Sequence, residues 1–334
     1  MCKTLTILIL FLCFRPADIN SQVSLRVMSY NVENLFDTAD NPLTDDNEFL
    51  PSGGRRWTRT RYYHKLQQIA KVIMAAGEWG DAPALVGLCE VENDTVITHL
   101  LRKTPLHTRQ YRYCASGSPD RRGIGVALLY QRDKFRYLSH HSIPVQGKDH
   151  TRKTRDILHV SGELISGDTL DILVCHFPSK YGGEKESESR RTDAAVALRK
   201  QCDLLIQVRS CPLIIAMGDF NDSPGSRCMK LVTGNSLQNL FADAKGSHKY
   251  QGEWSQLDQI IVHQAMLSPQ ARMKVIPGSA QNFSPSFLFV QDKTWRGIRP
   301  RRTYYGYKYE AGYSDHLPVL ADFLIDFSIN HASP

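Results

Sequence analysis

The chain has 334 residues, 42% of them hydrophobic and 22% charged. That balance excludes a disordered, collagen-like or disulfide-scaffold protein and leaves room for one large core or two ordinary domains. Lys plus Arg exceed Asp plus Glu by 41 to 34, a formal charge of +7, so an anionic partner is permitted but not required.

Near the start of the chain Lys3 precedes an apolar run over 5–14. The run is too short to span a bilayer but has the length of a signal-peptide core. We expect a signal peptide over 1–21, cleaved near residue 21, and a mature chain 22–334 exported to the periplasm or the medium. A frayed apolar terminus of a cytosolic chain is the alternative. No other segment is long and apolar enough for a transmembrane span. Six cysteines remain in the mature chain. Cys89 and Cys175 sit in apolar runs and read as small buried hydrophobes. No CxxC or metal-type Cys/His spacing occurs, and a Cys202–Cys211 bridge stays open.

Strand-like runs follow one another: LRVMSYN (25–31), ALVGLCE (84–90), GIGVALLY (123–130), DILHVSGEL (156–164), LDILVCHF (170–177), PLIIAMGDF (212–220), LDQIIVH (257–263) and LPVLADFLI (317–325). Their β-branched, apolar make-up predicts buried sheet strands. Helices are predicted over 59–76, with Leu66, Ile69, Ala70 and Ile73 at helical spacing, and over 184–209, with Ala194, Leu198 and Leu205 on its apolar side. Interleaved strands and helices predict an α/β or α+β domain with helices covering sheets. There is no repeat, no long linker, no GxGxxG after a strand and no Walker-type loop, so a single domain without a nucleotide-cofactor motif is expected.

Polar residues gather at the ends of these runs: Asn31 and Glu33, Glu90, His176, Asp219 and Asn221, Asp258, and Asp315 with His316. Alone, each is as readily a cap or a surface charge. Together they predict one sheet rim rich in carboxylates. Such a rim suits a hard oxygen-seeking cation such as Mg²⁺, with histidines beside it for acid–base work.

The motifs SYNVEN, GLCEVEN, CHFPSK, GDFND, LDQIIV and SDHLPV, in this order over residues 25–324, resemble the endonuclease/exonuclease/phosphatase superfamily, the DNase I-like fold, in a secreted bacterial-type member. The resemblance implies a four-layer α-β-β-α sandwich of two packed mixed sheets covered by helices. It implies Mg²⁺, or Mn²⁺ in its place, held chiefly by Glu90, with Asn31, Glu33 and Asp315 on the metal side. It implies that Asp219 and Asn221 orient the attacking water, that His316 works on the scissile phosphate while Asp258 holds its tautomer, and that His176 donates to a phosphate oxygen or the leaving group. Two positions depart from the family pattern. Cys89 stands where Gln is common, which we read as a packing contact. His176 stands where the abasic-site branch has Tyr, which with the export signal disfavours intracellular DNA repair.

Three basic segments, two of them interleaved with aromatics, complete the reading: 53–62, 120–123 and 295–305. Arg with aromatics can bind phosphates and stack bases. Arg299, Arg301, Arg302 and Tyr304 in the third segment, with Arg155 and Lys180, are the expected substrate contacts. The first segment reads equally as a solvated charge run. The expected activity is a metal-dependent nuclease, a phosphodiesterase acting as a monomer on nucleic acid. The alternative is a phosphatase or a phosphodiesterase of the phosphoinositide or sphingomyelin type, for which 284–290 is a candidate lipid-facing hairpin. A non-catalytic binding protein of the same fold is the third reading.

Overall fold

The computed structural model describes residues 20–78, 80–117, 119–147, 154–180 and 183–328. The expected signal peptide lies outside them except for residues 20 and 21, which open the first strand. In chain order the elements are β1 (Asn20–Leu35), α1 (Arg59–Ala75), β2 (Leu85–Val91), α2 (Asp94–Arg102), β3 (Tyr111–Ala115), β4 (Gly125–Gln131), β5 (Arg136–Ile143), β6 (Ile157–Glu163) and β7 (Thr169–His176). They continue with α3 (Glu184–Val208), β8 (Leu213–Asp219), α4 (Arg227–Thr233), β9 (Leu237–Asn239), β10 (His248–Tyr250), β11 (Glu253–Ser255) and β12 (Asp258–His263). The last are β13 (Met273–Val275), β14 (Gln281–Asn282), β15 (Phe289–Gln291), β16 (Ile298–Pro300), β17 (Tyr304–Tyr305), β18 (Lys308–Tyr309) and β19 (Val319–Ser328).

One sheet runs β13-β19-β1-β2-β4-β3, with β14 also on β19; the other runs β5-β6-β7-β8-β12-β9. Each is antiparallel except for one parallel pair at its centre, β1 with β2 and β7 with β8. The apolar runs are continuous because the central strands are buried on both faces. On β1, Leu25 and Val27 join the core between the sheets, while Met28, Tyr30 and Val32 join the core beneath α1 and α2. On β8, Leu213, Ile215 and Met217 face the first sheet, while Ile214 and Ala216 meet α3 and α4. This is the expected four-layer sandwich. No helix among the described residues is long and apolar enough to cross a membrane.

All eight predicted strands and both predicted helices are present. Both Cys202 and Cys211 are free thiols, so the bridge left open is not formed. Cys89 and Cys175 are fully buried, and the Cys89 thiol donates to the Cys175 carbonyl at 3.2 Å, tying the two sheets together.

On the outer face of the second sheet, Asp171 of β7 is fully buried. It accepts from Arg209 at 2.7 and 2.9 Å, from His159 at 2.9 Å and from the Ser161 hydroxyl. Burial alone would raise its pKa, but the hydrogen bonds from His159, Arg209 and Ser161 outweigh it and hold the carboxyl at about 2. A carboxyl depressed by folding stabilises fully above its unfolded pKa of about 4 and loses that contribution as pH falls toward 2. Asp171→Asn is therefore expected to cost about 2 kcal/mol at pH 7. Urea titrations at pH 7 and pH 3 check this: the deficit should shrink at the lower pH, and a pH-independent deficit would contradict the assignment.

Candidate active site

The two parallel strand pairs end on the same rim, and the polar residues at those ends meet there. Asn31 lies opposite Cys89, one residue before Glu90, and Asp219 lies opposite both His176 and Asp258. Local backbone geometry aims the carboxylates. Glu90 sits at a register break between β2 and its neighbours with φ +66°. A bulge of this kind turns a side chain out of the ladder. Gly218 has φ +146°, and a Cβ there would lie 1.8 Å from the Cys175 carbonyl oxygen. Only glycine lets β8 approach β7 closely enough to present Asp219.

Asp219 and Glu90 are joined by one amide. The Asn31 Nδ2 donates to Asp219 Oδ2 at 3.0 Å and to Glu90 Oε1 at 3.4 Å, while its Oδ1 accepts the Glu33 backbone N–H at 3.0 Å. Asn31 thus acts as a clamp between carboxylates, while its oxygen, expected on the metal side, accepts the Glu33 N–H. The other Glu90 oxygen accepts the Asn34 N–H at 2.7 Å. Asn221, at φ +50°, donates its N–H to Asp219 at 2.8 Å and its side-chain amide to the Phe177 carbonyl at 3.0 Å.

Two histidines face this group. His316 holds Asp258 through Nδ1 at 2.6 Å, and its Nε2 lies 3.8 Å from Asp219 Oδ2. Asp258 also accepts the Ser247 hydroxyl at 2.7 Å. His176 Nε2 lies 3.7 Å from Asp219 and 3.8 Å from Glu90. Burial opposes charge on His316, but Asp258, Asp219 and Asp315 overcome it and hold the imidazolium well above the ordinary histidine range. His176 is pushed the opposite way, by burial and then by the charges of Arg155, Arg122 and His316, and stays neutral. Burial raises Asp219 to about 6 against the pull of His316. Groups with opposed shifts at one rim are the electrostatic mark of acid–base chemistry.

The donor chemistry fits a divalent cation. Asp219, Asp258 and His316 form one group able to hold a metal, and His248, Asp315 and His316 form a second. Glu90 adds a carboxylate whose side chain keeps 15% exposure, against 2% for Asp219. The buried Asp258 Oδ1 and His176 Nδ1 have no hydrogen-bond partner among the described residues.

Several expected contacts are redirected inward. Glu33 is buried and accepts the Thr303 N–H at 2.6 Å and Arg302 at 3.4 Å, with Lys65 at 3.9 Å. Its oxygens, expected on the metal side, serve this network. Arg302 also binds Asp315 at 2.5 Å, so it scaffolds a site carboxylate where a free phosphate contact was expected. Arg299 is held by both oxygens of Glu310 at 2.8 Å. The Tyr304 ring is buried and its hydroxyl donates to the Arg55 carbonyl at 2.9 Å, so it cannot face substrate. Arg301 is half-buried, and Lys180 is exposed in the loop after β7. Arg155 is buried beside Asp120 at 3.4 Å and reaches the site through its charge on His176. The 284–290 segment is folded in: Leu288 is buried and the Phe287 ring packs 5.3 Å from that of Tyr313.

Sequence reasoning missed His248 and Lys65. His248 stacks on His316 with ring centres 4.6 Å apart. Lys65 of α1 is fully buried and donates to Thr303 and to the Tyr313 carbonyl, at 2.5 and 2.6 Å. Burial brings its pKa down to about 8 despite Glu33. Lys65 follows the helical spacing of the apolar residues, and that is the one signal that could have revealed it.

Residues 26–324 match the family described as endonuclease/exonuclease/phosphatase. No curated protein sequence matches the chain. Among solved structures it is similar to an endonuclease/exonuclease/phosphatase family protein from Bacteroides thetaiotaomicron, with TM-score 0.59 and 15% identity over 94% of this chain and 99% of that one. A mannosyl-6-phosphatase of the same organism gives TM-score 0.58 at 16% identity, over 90% and 99%. The human Nocturnin catalytic domain with bound sulfate gives 0.53 at 19%, over 91% and 97%.

Proposed function

The chain belongs to the endonuclease/exonuclease/phosphatase family, hydrolases of phosphoric esters, and on that premise we propose that it is a Mg²⁺-dependent phosphodiesterase cleaving nucleic acid. The observation that carries the reading is the convergence of His316, its partner Asp258, and Asp219 within 4.8 Å of one another, beside Glu90 and the neutral His176.

A phosphodiester resists attack because its negative charge repels a nucleophile. The His316 imidazolium neutralises charge that grows on the phosphoryl oxygens. Asp219, with a pKa of about 6, is ionised at neutral pH yet basic enough to take a proton from an attacking water. Asn221 and Asn31 fix that carboxylate from two sides. His176 is suited to hydrogen-bond a phosphate oxygen without adding charge. Glu90 and Asp315 would hold Mg²⁺, which when bound offsets phosphate charge and assists water ionisation.

The preference for nucleic acid over lipid rests on the rim. The β15–β18 region presents Trp295, Tyr305 and Tyr307 to solvent, with exposed Lys293, Arg296 and Lys308 and no exposed carboxylate over 289–309. Exposed rings among cations suit bases and phosphates together. Export of the mature chain belongs to the same proposal and is supported by the apolar run over 5–14.

The test is hydrolysis of plasmid DNA, RNA, a phosphoinositide, sphingomyelin and bis-p-nitrophenyl phosphate with Mg²⁺ and with EDTA. EDTA-sensitive cleavage of nucleic acid is expected. Turnover of a lipid or small phosphate alone would overturn the substrate and keep the chemistry. Inertness toward every member of the panel would overturn both.

A further inference from the structure

We propose that a second, basic cleft at the opposite end of the first sheet binds a phosphate-bearing anion. The proposal does not rest on the phosphodiesterase reading. The end of α2, the turn over 105–109, the edge strand β3 and the turn after β4 enclose about 460 Å³. That is the size of an ordinary small-molecule pocket. Arg102, Arg112 and Arg132 reach its wall from three different elements, and no carboxylate lines it.

The charge is what needs explaining. Buried and half-buried arginines elsewhere in the fold are held by acids, Arg26 by Asp322, Arg191 by Asp222 and Arg299 by Glu310. None of the three cleft arginines has a carboxylate within ion-pair distance among the described residues. Arg102 sits in the last turn of α2, where a cation answers the negative helix end. That accounts for one of the three; Arg112 and Arg132 are exposed, and their side chains have no hydrogen bond or ion pair among the described residues. Like charges along one cleft repel one another until an anion arrives, and planar guanidinium forks match a phosphate in particular.

The neutral groups of the wall point the same way. His107 Nδ1 lies 2.9 Å from the Thr104 carbonyl, which can only accept, so Nδ1 carries the proton and Nε2 is left for a ligand. Gln110, at φ +53°, is the left-handed residue that ends the 105–109 turn, and it places its polar side chain on the same wall. Tyr113 adds a half-buried ring.

The cleft cannot share a phosphate with the catalytic rim. Tyr111 pairs with Gln131 at one end of β4, while Gly125 at the other end pairs with Val91, next to Glu90. Six residues of strand separate the two ends, about 20 Å. The phosphate would come either from a nucleic-acid strand that also reaches the rim or from a free phosphorylated molecule.

The test titrates the full chain and its Arg102→Gln/Arg112→Gln/Arg132→Gln variant calorimetrically in EDTA. The probes are inorganic pyrophosphate, a 5′-mononucleotide and a short single-stranded oligonucleotide. At least one probe should bind about ten-fold more weakly to the variant. Hydrolysis of bis-p-nitrophenyl phosphate should be unchanged. Arg132→Gln alone, exposed in its turn, should give a smaller loss in the same direction. Loss confined to the oligonucleotide identifies a strand phosphate, and loss of the small probes a free phosphorylated ligand. Lys200→Gln/Arg227→Gln/Lys230→Gln removes the same charge from exposed positions on the far face. Equal weakening in that control, or unchanged binding in the cleft variant, overturns the proposal.

Discussion

Replacing His316 by Ala is expected to lower kcat on any cleavable diester by about 10³-fold, with the fold intact. The residue is 8% exposed and lies at the rim, so its loss opens solvent-accessible space more than it opens the core. Asp258→Asn should cost less, about 10- to 100-fold, because Asp258 acts through His316 and does not touch the reacting atoms. The pH profile separates the roles. Asp258 is the foremost of the charges that keep His316 protonated. With Asn in its place the imidazolium should lose its proton at lower pH, so the alkaline limb of activity should move downward. The acidic limb, set by Asp219 ionising near 6, should stay in place or shift slightly lower, since the Asp258 charge is one of the influences raising Asp219. A Asp258→Asn loss larger than that of His316→Ala, or an unmoved alkaline limb, would mean that the two are wrongly paired.

What the sequence disclosed and what it hid divide along a physical line. β1, β2, β7 and β8 are buried on both faces, so their apolar runs are unbroken and legible. β5 escaped because nearly all of its residues are exposed, and an edge strand of RYLSHHSI carries neither an apolar run nor a clean alternation. The chemical residues were legible for a related reason: a strand that is apolar throughout makes a polar residue at its end conspicuous, as with Glu90, His176 and Asp219. Their partners were less so. His248 lies in a three-residue strand of a short hairpin with β11, and only its bridge to the distant His316 brings it to the site. Arg299 and Tyr304 look like substrate contacts until Glu310 and the Arg55 carbonyl take them up, and nothing local announces those partners. Asn31 was found but its direction was not, because the amide is oriented by the backbone turn at Glu33.

Glu33 and Glu90 are the pair on which this distinction can be tested most sharply, since both were expected on the metal side. Glu90→Gln should abolish tight Mg²⁺ and Mn²⁺ binding, read by Mn²⁺ electron paramagnetic resonance, and lower kcat by about 10³-fold. Its shape is kept, and the amide oxygen can still accept the Asn34 N–H, so thermal stability should change little. Glu33→Gln should behave in reverse. Its carboxylate is 6% exposed and compensates Lys65, which is 1% exposed, and Arg302. Neutralising it leaves a buried ammonium without its acid, at a cost of about 3 kcal/mol. Mn²⁺ binding should survive in that variant wherever it remains folded. Arg302, freed from Glu33 but still held by Asp315, would then be the residue whose position changes. If Mn²⁺ binding is lost in Glu33→Gln and kept in Glu90→Gln, the inward-facing network is the metal centre and the rim assignment fails.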